Sequence, residues 1–137
     1  MDYSFHYLLM ADHTILQKKI INGIKDLNLT PGQPKVLDYL KQNNGAMQKD
    51  IAGGCHIEPA SISVILNGME KNGFIMRKIK DNNRRTINVF LTEKGRNTCK
   101  VLEERFIEAE REALNGFSEE EKEIFIKYLK RVYENLY

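Results

Sequence analysis

Two groups of side chains between Ala60 and Arg85 have types and spacings suited to nucleic-acid chemistry. Ala60, Ser61, Ser63, Val64 and Asn67 lie on a helical stretch opposite Ile62, Ile65, Leu66 and Met69, and all five are small or neutral. A solvated helix face ordinarily carries Lys and Glu instead. Small side chains let a helix approach the major groove closely, where Ser and Asn bond base edges and the methyls of Ala and Val meet the thymine methyl. The second group, Lys71, Arg77, Lys78, Lys80, Arg84 and Arg85, faces only Asp81. Cations so concentrated suit phosphate oxygens or a minor groove. A weakly charged surface would explain the helix face alone, but not the basic segment that directly follows it. The candidate DNA contacts are therefore Ala60, Ser61, Ser63, Val64, Asn67, Arg77, Lys80, Arg84 and Arg85.

These residues need a scaffold, and the surrounding sequence supplies one. In MQKDIAGGCHIEPASISVILNGMEKNG a short helix is predicted from Met47 to about Ala52, packing through Ile51 and Ala52, with Gly53-Gly54 as a breaker. Pro59 favours the start of a second helix, in which Ile62, Ile65, Leu66 and Met69 fall at i, i+3, i+4 and i+7 before a stop at Gly73. Helix, Gly-containing turn and helix make a helix-turn-helix pattern. Phe74 to Lys80 and Thr86 to Leu91 are rich in β-branched and aromatic residues and read as two strands, with Asp81-Asn82-Asn83 as turn chemistry. The ribbon then carries Arg84 and Arg85 at or beside its tip. Upstream, Thr30-Pro31-Gly32-Gln33 reads as a helix start with Thr30 as N-cap, although Pro34 delays the regular helix by a residue or two. Val36, Leu37 and Leu40 give that helix its buried face, and Asn43-Asn44-Gly45 ends it.

The flanks are helical too. Phe5, Leu9, Leu16, Ile20, Ile24 and Leu27 recur along one side of a helix reaching to about Lys25, and Tyr3, Tyr7, Leu8, Ile15 and Ile21 widen its apolar surface. Such a helix has more than one neighbour, within the chain or in a second subunit. Thr92 starts a helix running to about Leu114, with Val101, Leu102, Arg105, Phe106 and Ala109 on one face and Asn115-Gly116 after it. Ser118-Glu119-Glu120-Glu121 is a capping box opening a last helix, whose face of Ile124, Phe125, Tyr128, Leu129, Val132 and Leu136 needs a partner.

Totals narrow the class further. The 137 residues are about one domain's length, with 42% hydrophobic and 29% charged residues. Net charge is only +2, but residues 30–95 hold 10 Lys and Arg against 6 Asp and Glu, while the remainder holds 11 against 13. Positive charge is thus local to the middle of the chain. Cys55 and Cys99 are far apart with no Cys-x-x-Cys pair, which argues against a disulfide framework or a zinc ribbon and suits a reducing cytosol. His6, His13 and His56 form no convergent ligand set, so no metal or other cofactor is expected. The N-terminal MDYSFHYLLMADH has no basic leader and only a short apolar run, so a cytoplasmic protein without a membrane span is expected. No Gly-rich phosphate loop, nucleophile elbow or isolated carboxylate pair suggests an enzyme. Glu119 to Glu121 suit the positive end of a helix dipole.

Four segments together resemble the MarR family of winged helix-turn-helix regulators. LNLTPGQPKVLDYL resembles the family's Leu-Thr-x-x-Gln-x-x-x-Leu segment, and MQKDIA its helix-turn-helix opening. SISVILNGMEKNGFIMR resembles the recognition helix with its Leu-Glu-x-x-Gly-Leu-hydrophobic-x-Arg exit, and NRRTINVFLTEKGR the end of the wing. The resemblance implies a mainly α fold with a small β-hairpin wing, as one domain over 1–137. Residues 30–95 would form the winged helix-turn-helix, and 1–29 and 96–137 the dimerisation helices, through Phe5, Leu9, Leu16, Ile124, Tyr128, Leu129, Val132 and Leu136. It also implies a homodimer that binds a pseudo-palindromic operator on double-stranded DNA, usually as a repressor, with a small-molecule effector as a further partner. Ser61, Ser63, Val64 and Asn67 match the base-reading face, and Arg85 the wing arginine directed at the minor groove. Two positions depart from the pattern: Asn83 replaces the wing's usual Asp, and Val64 stands where relatives often carry Arg. Without that candidate for bidentate guanine contact, an A·T-leaning operator is expected. The competing class, a protein-interaction module that keeps the fold without DNA binding, is opposed by the basic wing.

Overall fold

The computed structural model describes residues 2–79 and 86–137. In chain order these form α1 (Phe5–Gly23), a 3-10 turn (Lys25–Leu27), α2 (Gln33–Gln42), α3 (Gln48–Cys55), α4 (Pro59–Lys71), β1 (Ile75–Ile79), β2 (Ile87–Leu91), α5 (Glu93–Ala113) and α6 (Glu119–Leu136). The two strands pair antiparallel, from Ile75 opposite Leu91 to Ile79 opposite Ile87. This is a mainly helical winged helix.

The core is built where α2, α3, α4, the hairpin and the first half of α5 converge. Leu37, Leu40, Ile51, Leu66, Met69 and Val89 are fully buried there, joined by Ile62, Phe74 and Leu102. Each large aliphatic side chain so buried contributes about 1.5–3 kcal/mol of transfer free energy. The 3.6-residue spacing of Ile62, Leu66 and Met69 therefore turns one side of α4 inward and leaves the other outward.

Two helix boundaries differ from the sequence expectation. Thr30 is not the N-cap of α2; Gly32, at φ 91°, holds that position, and Pro34 falls in the first turn where its missing N–H costs nothing. Part of the expected capping box survives, since Gln33 Oε1 accepts from the Thr30 N–H at 3.2 Å. α3 does not break at Gly53-Gly54, as the sequence suggests, but runs on to Cys55. A Cβ on Gly54 would sit 2.2 Å from the Tyr39 ring, so this glycine permits close packing of α3 on α2. That packing offsets glycine's helix-propensity penalty of roughly 1 kcal/mol. The turn is instead closed by His56 in the left-handed region, φ 54°, with bonds from His56 N–H to Gly53 O and from Ile57 N–H to Ala52 O. α4 ends with the same pair of bonds around Gly73, φ 81°.

The segment before α3 also lies along the outer edge of β2. Gly45 N–H donates to Val89 O at 2.8 Å, Val89 N–H to Ala46 O at 2.9 Å, and Met47 bridges to Asn88. Asn44 Oδ1 accepts from Leu91 N–H. At the other end of β2, Thr92 caps α5 by accepting from Gly95 N–H, and its hydroxyl donates to Gly73 O. A Cβ on Gly95 would lie 2.1 Å from Phe74 O, so Thr92 and Gly95 together lock the stop of α4 against the start of α5.

α1 lies on α5 through polar contacts as well as apolar ones. Arg105 donates to both carboxylate oxygens of Asp26 at 3.1 and 3.2 Å and to Gly23 O, and Lys19 pairs with Glu112. Both bonds of the Ser118–Glu121 capping box are present at the start of α6. Neither α1 nor α6 has a buried residue among those described. No described helix is long and apolar enough to cross a membrane.

Candidate nucleic-acid interface

α4 presents Ala60, Ser61, Val64 and Asn67 on its exposed side, opposite Ile62, Leu66 and Met69. Val64 is 71% exposed and is the apolar centre of this face. Ser63 is half-buried at the junction with α3. Its hydroxyl accepts from Gln48 Nε2 at 2.7 Å and lies 3.4 Å from Pro59 O, to which it donates. Ser63 is thus joined to the helix-turn-helix framework on both sides. Gln48 was not among the sequence candidates; only the fold, which sets the first turn of α3 across α4, identifies it.

Asn67 and Arg77 are brought into contact, ten residues apart in sequence. The Arg77 guanidinium donates to Asn67 Oδ1 and to Glu70 Oε1, the latter at 3.2 Å, while Arg77 N–H donates to Glu70 Oε2 at 3.1 Å. Glu70 therefore grips both the backbone and the side chain of β1, and only 20% of the Arg77 side chain is exposed. On the hairpin's other positions Lys78 lies over the Phe90 ring at 5.3 Å, and Met76 and Ile79 are exposed. Lys80, Arg84 and Arg85 lie outside the described residues, as do Asp81, Asn82 and Asn83.

Away from this face, an apolar cleft of about 650 Å³ opens between α1, α2, α5 and α6, lined by Leu16, Ile20, Pro34, Phe106, Leu114 and Phe125. Of the residues expected at a subunit interface, Phe5, Leu9, Leu16, Ile124, Tyr128, Leu129 and Leu136 are exposed, and Val132 is half-buried. Both cysteines are buried against α2. Cys55 Sγ approaches Lys35 O and Cys99 Sγ approaches Leu37 O, and loss of solvation raises both thiols above the usual cysteine range. Such thiols are poor nucleophiles at neutral pH. No cluster of three or more His, Cys, Asp and Glu able to hold a metal occurs among the described residues.

A helix-turn-helix followed directly by a two-stranded ribbon defines a winged helix-turn-helix protein. The sequence profile of the MarR family matches residues 29–87. The uncharacterised HTH-type transcriptional regulator YybA of Bacillus subtilis is 31% identical over 112 residues, 82% of this chain and 75% of YybA. The chain belongs to the MarR family of transcriptional regulators. A MarR-family regulator from Listeria monocytogenes, solved with a 26-mer DNA, superposes at a TM-score of 0.87 with 28% identity, covering 99% of this chain and 90% of that one. The DNA complex of Staphylococcus aureus MepR gives 0.84 with 27% identity over 99% and 100%. The family's members are DNA-binding regulators, not enzymes.

Proposed function

We propose that this regulator is a homodimeric repressor acting in the cytoplasm, which places one α4 helix from each subunit in successive major grooves of a pseudo-palindromic operator. The exposed, neutral face of α4 carries the reading: Ala60, Ser61 and Val64 present small groups that fit against base edges, and relatives of the same fold are known bound to DNA. Lys80, Arg84 and Arg85 add attraction to the flanking phosphates and minor groove. The exposed apolar residues of α1 and α6 support dimerisation, because monomers rarely leave contiguous apolar surface of this kind in water. Dimer occupancy of a promoter excludes other proteins from it, which is the physical basis of repression. The apolar cleft between the terminal helices and α2 suits a small hydrophobic effector, whose binding would change the spacing of the two α4 helices.

The test is fluorescence anisotropy with DNA taken from upstream of the protein's own gene, repeated across salt concentrations. Affinity should fall steeply with salt, and half-sites should lie about one DNA turn apart or a multiple of it. Arg85→Ala should weaken binding by about 1–3 kcal/mol. Salt-independent or absent binding would remove the reading; an unchanged affinity in Arg85→Ala would show that the wing arginine is idle.

A further inference from the structure

The contact between β1 and α4 bears on which base the recognition helix selects, given the reading of α4 as that helix. Arg77 is fixed in place by Glu70, which accepts from both its backbone N–H and its guanidinium. The same guanidinium donates to Asn67, which is exposed on the outer face of α4. A guanidinium carries donors and no acceptor, so the Asn67 atom turned toward it is the carbonyl oxygen. The amino group of Asn67 is thereby directed away from Arg77. An unrestrained Asn reads adenine by presenting both amide atoms on one edge, with the oxygen accepting from N6 and the amino group donating to N7. With its oxygen turned to the protein side, Asn67 presents its amino donors to the groove.

We propose that Arg77 is a positioning residue for sequence readout: it holds the Asn67 oxygen so that the outward amino group selects a base edge bearing an acceptor. Thymine O4, guanine O6 and purine N7 fit this requirement, whereas cytosine, which presents its N4 amino group in the major groove, does not. Arg77 acts through Asn67 and not as a phosphate-binding cation, because Glu70 already neutralises it.

Site selection from randomised half-sites tests this in the full-length wild type, Arg77→Met, Arg77→Lys and Asn67→Asp, with thermal melting recorded for each. The wild type should disfavour cytosine at one position per half-site by about five- to tenfold, the low end of a single base-pair mismatch. Arg77→Met should flatten that position or turn it toward adenine while the other positions keep their preference. Arg77→Lys, which still donates to the oxygen, should preserve the wild-type pattern. Asn67→Asp, which keeps its Arg77 partner but presents an acceptor outward, should move the preference toward cytosine. If Arg77→Met lowers affinity evenly with every base preference intact, the proposal is overturned and Arg77 is structural only. Should Arg77→Met fail to fold, an unmoved preference in Asn67→Asp overturns it equally. A wild type that binds DNA without any base preference overturns this inference together with the recognition-helix reading, a result distinct from loss of the Asn67 position alone.

Discussion

The body from Gln33 to Leu91 and the two terminal helices use the same apolar residue types, yet they bury them to opposite extents. In the body, Val36, Leu37, Leu40, Ile51, Leu66, Met69 and Val89 are closed off from solvent by their own chain. α1 and α6 carry comparable numbers of Leu, Ile, Phe and Tyr and bury none among the described residues. An amphipathic helix gains most of its stability from packing, not propensity. The body's core is therefore complete within one chain, whereas the terminal helices have apolar faces that a second copy is proposed to cover.

Leu66→Ala removes a fully buried side chain from α4 and should cost about 2–5 kcal/mol, read as a lower urea midpoint. A cost under about 1 kcal/mol would mean that the body core is looser than its burial implies. Leu129→Asp addresses the other side of the contrast. It places a charge on the exposed face of α6 and should convert a dimer to a monomer by light scattering, with DNA affinity falling and the body's helical signal retained. An unchanged mass would show that the α6 face is not the subunit contact.

Smaller effects sharpen the boundary between the two regions. Gly54→Ala forces a Cβ toward the Tyr39 ring and should destabilise by roughly 1–3 kcal/mol, although alanine is ordinarily the better helix former. A stabilised variant would show that Gly54 is merely a tolerated defect of α3. The smallest effect belongs to the link between α1 and α5. The hydrogen bond from Arg105 holds the Asp26 carboxyl below its ordinary value. Because the folded-state value is lowered, the pair's contribution is complete above the unfolded carboxylate range and is lost as pH falls through the lowered value. Asp26→Asn should therefore reduce the pH dependence of melting only in the acid range, below about pH 4. A difference that persists unchanged to lower pH would assign the effect to packing instead of charge.

Much of this architecture was legible in residue order, because helix periodicity and end caps are local. Ile62, Leu66 and Met69 announce the inward side of α4, and Ser118 with Glu121 announces the start of α6, from spacings of three or four residues. The exposure of Ala60, Ser61, Val64 and Asn67 is legible for the same reason, since burying one stripe of a helix leaves the opposite residues outside; Ser63, expected among them, is half-buried against α3. The continuation of α3 through Gly53-Gly54 is not legible in the sequence, because the residue that makes Gly54 useful, Tyr39, lies on another helix. The edge formed by Gly45, Ala46 and Met47 on β2 was not foreseen, since those residues have no strand pattern of their own and take their bonds from Val89 and Asn88.

Helix order, the two-strand ribbon, the exposure of Ala60, Ser61, Val64 and Asn67 on α4 and the local excess of positive charge all follow from the sequence. Those properties follow from interactions within a turn or two of chain. Only the tertiary structure decided what the outward residues can offer. Ser63 has its hydroxyl engaged by Gln48 from α3, and Asn67 has its oxygen engaged by Arg77 from β1. A hydrogen bond fixes which atom of a side chain faces outward, and its partners here are ten and fifteen residues distant, so their meeting depends on the fold that packs α3, α4 and β1 together.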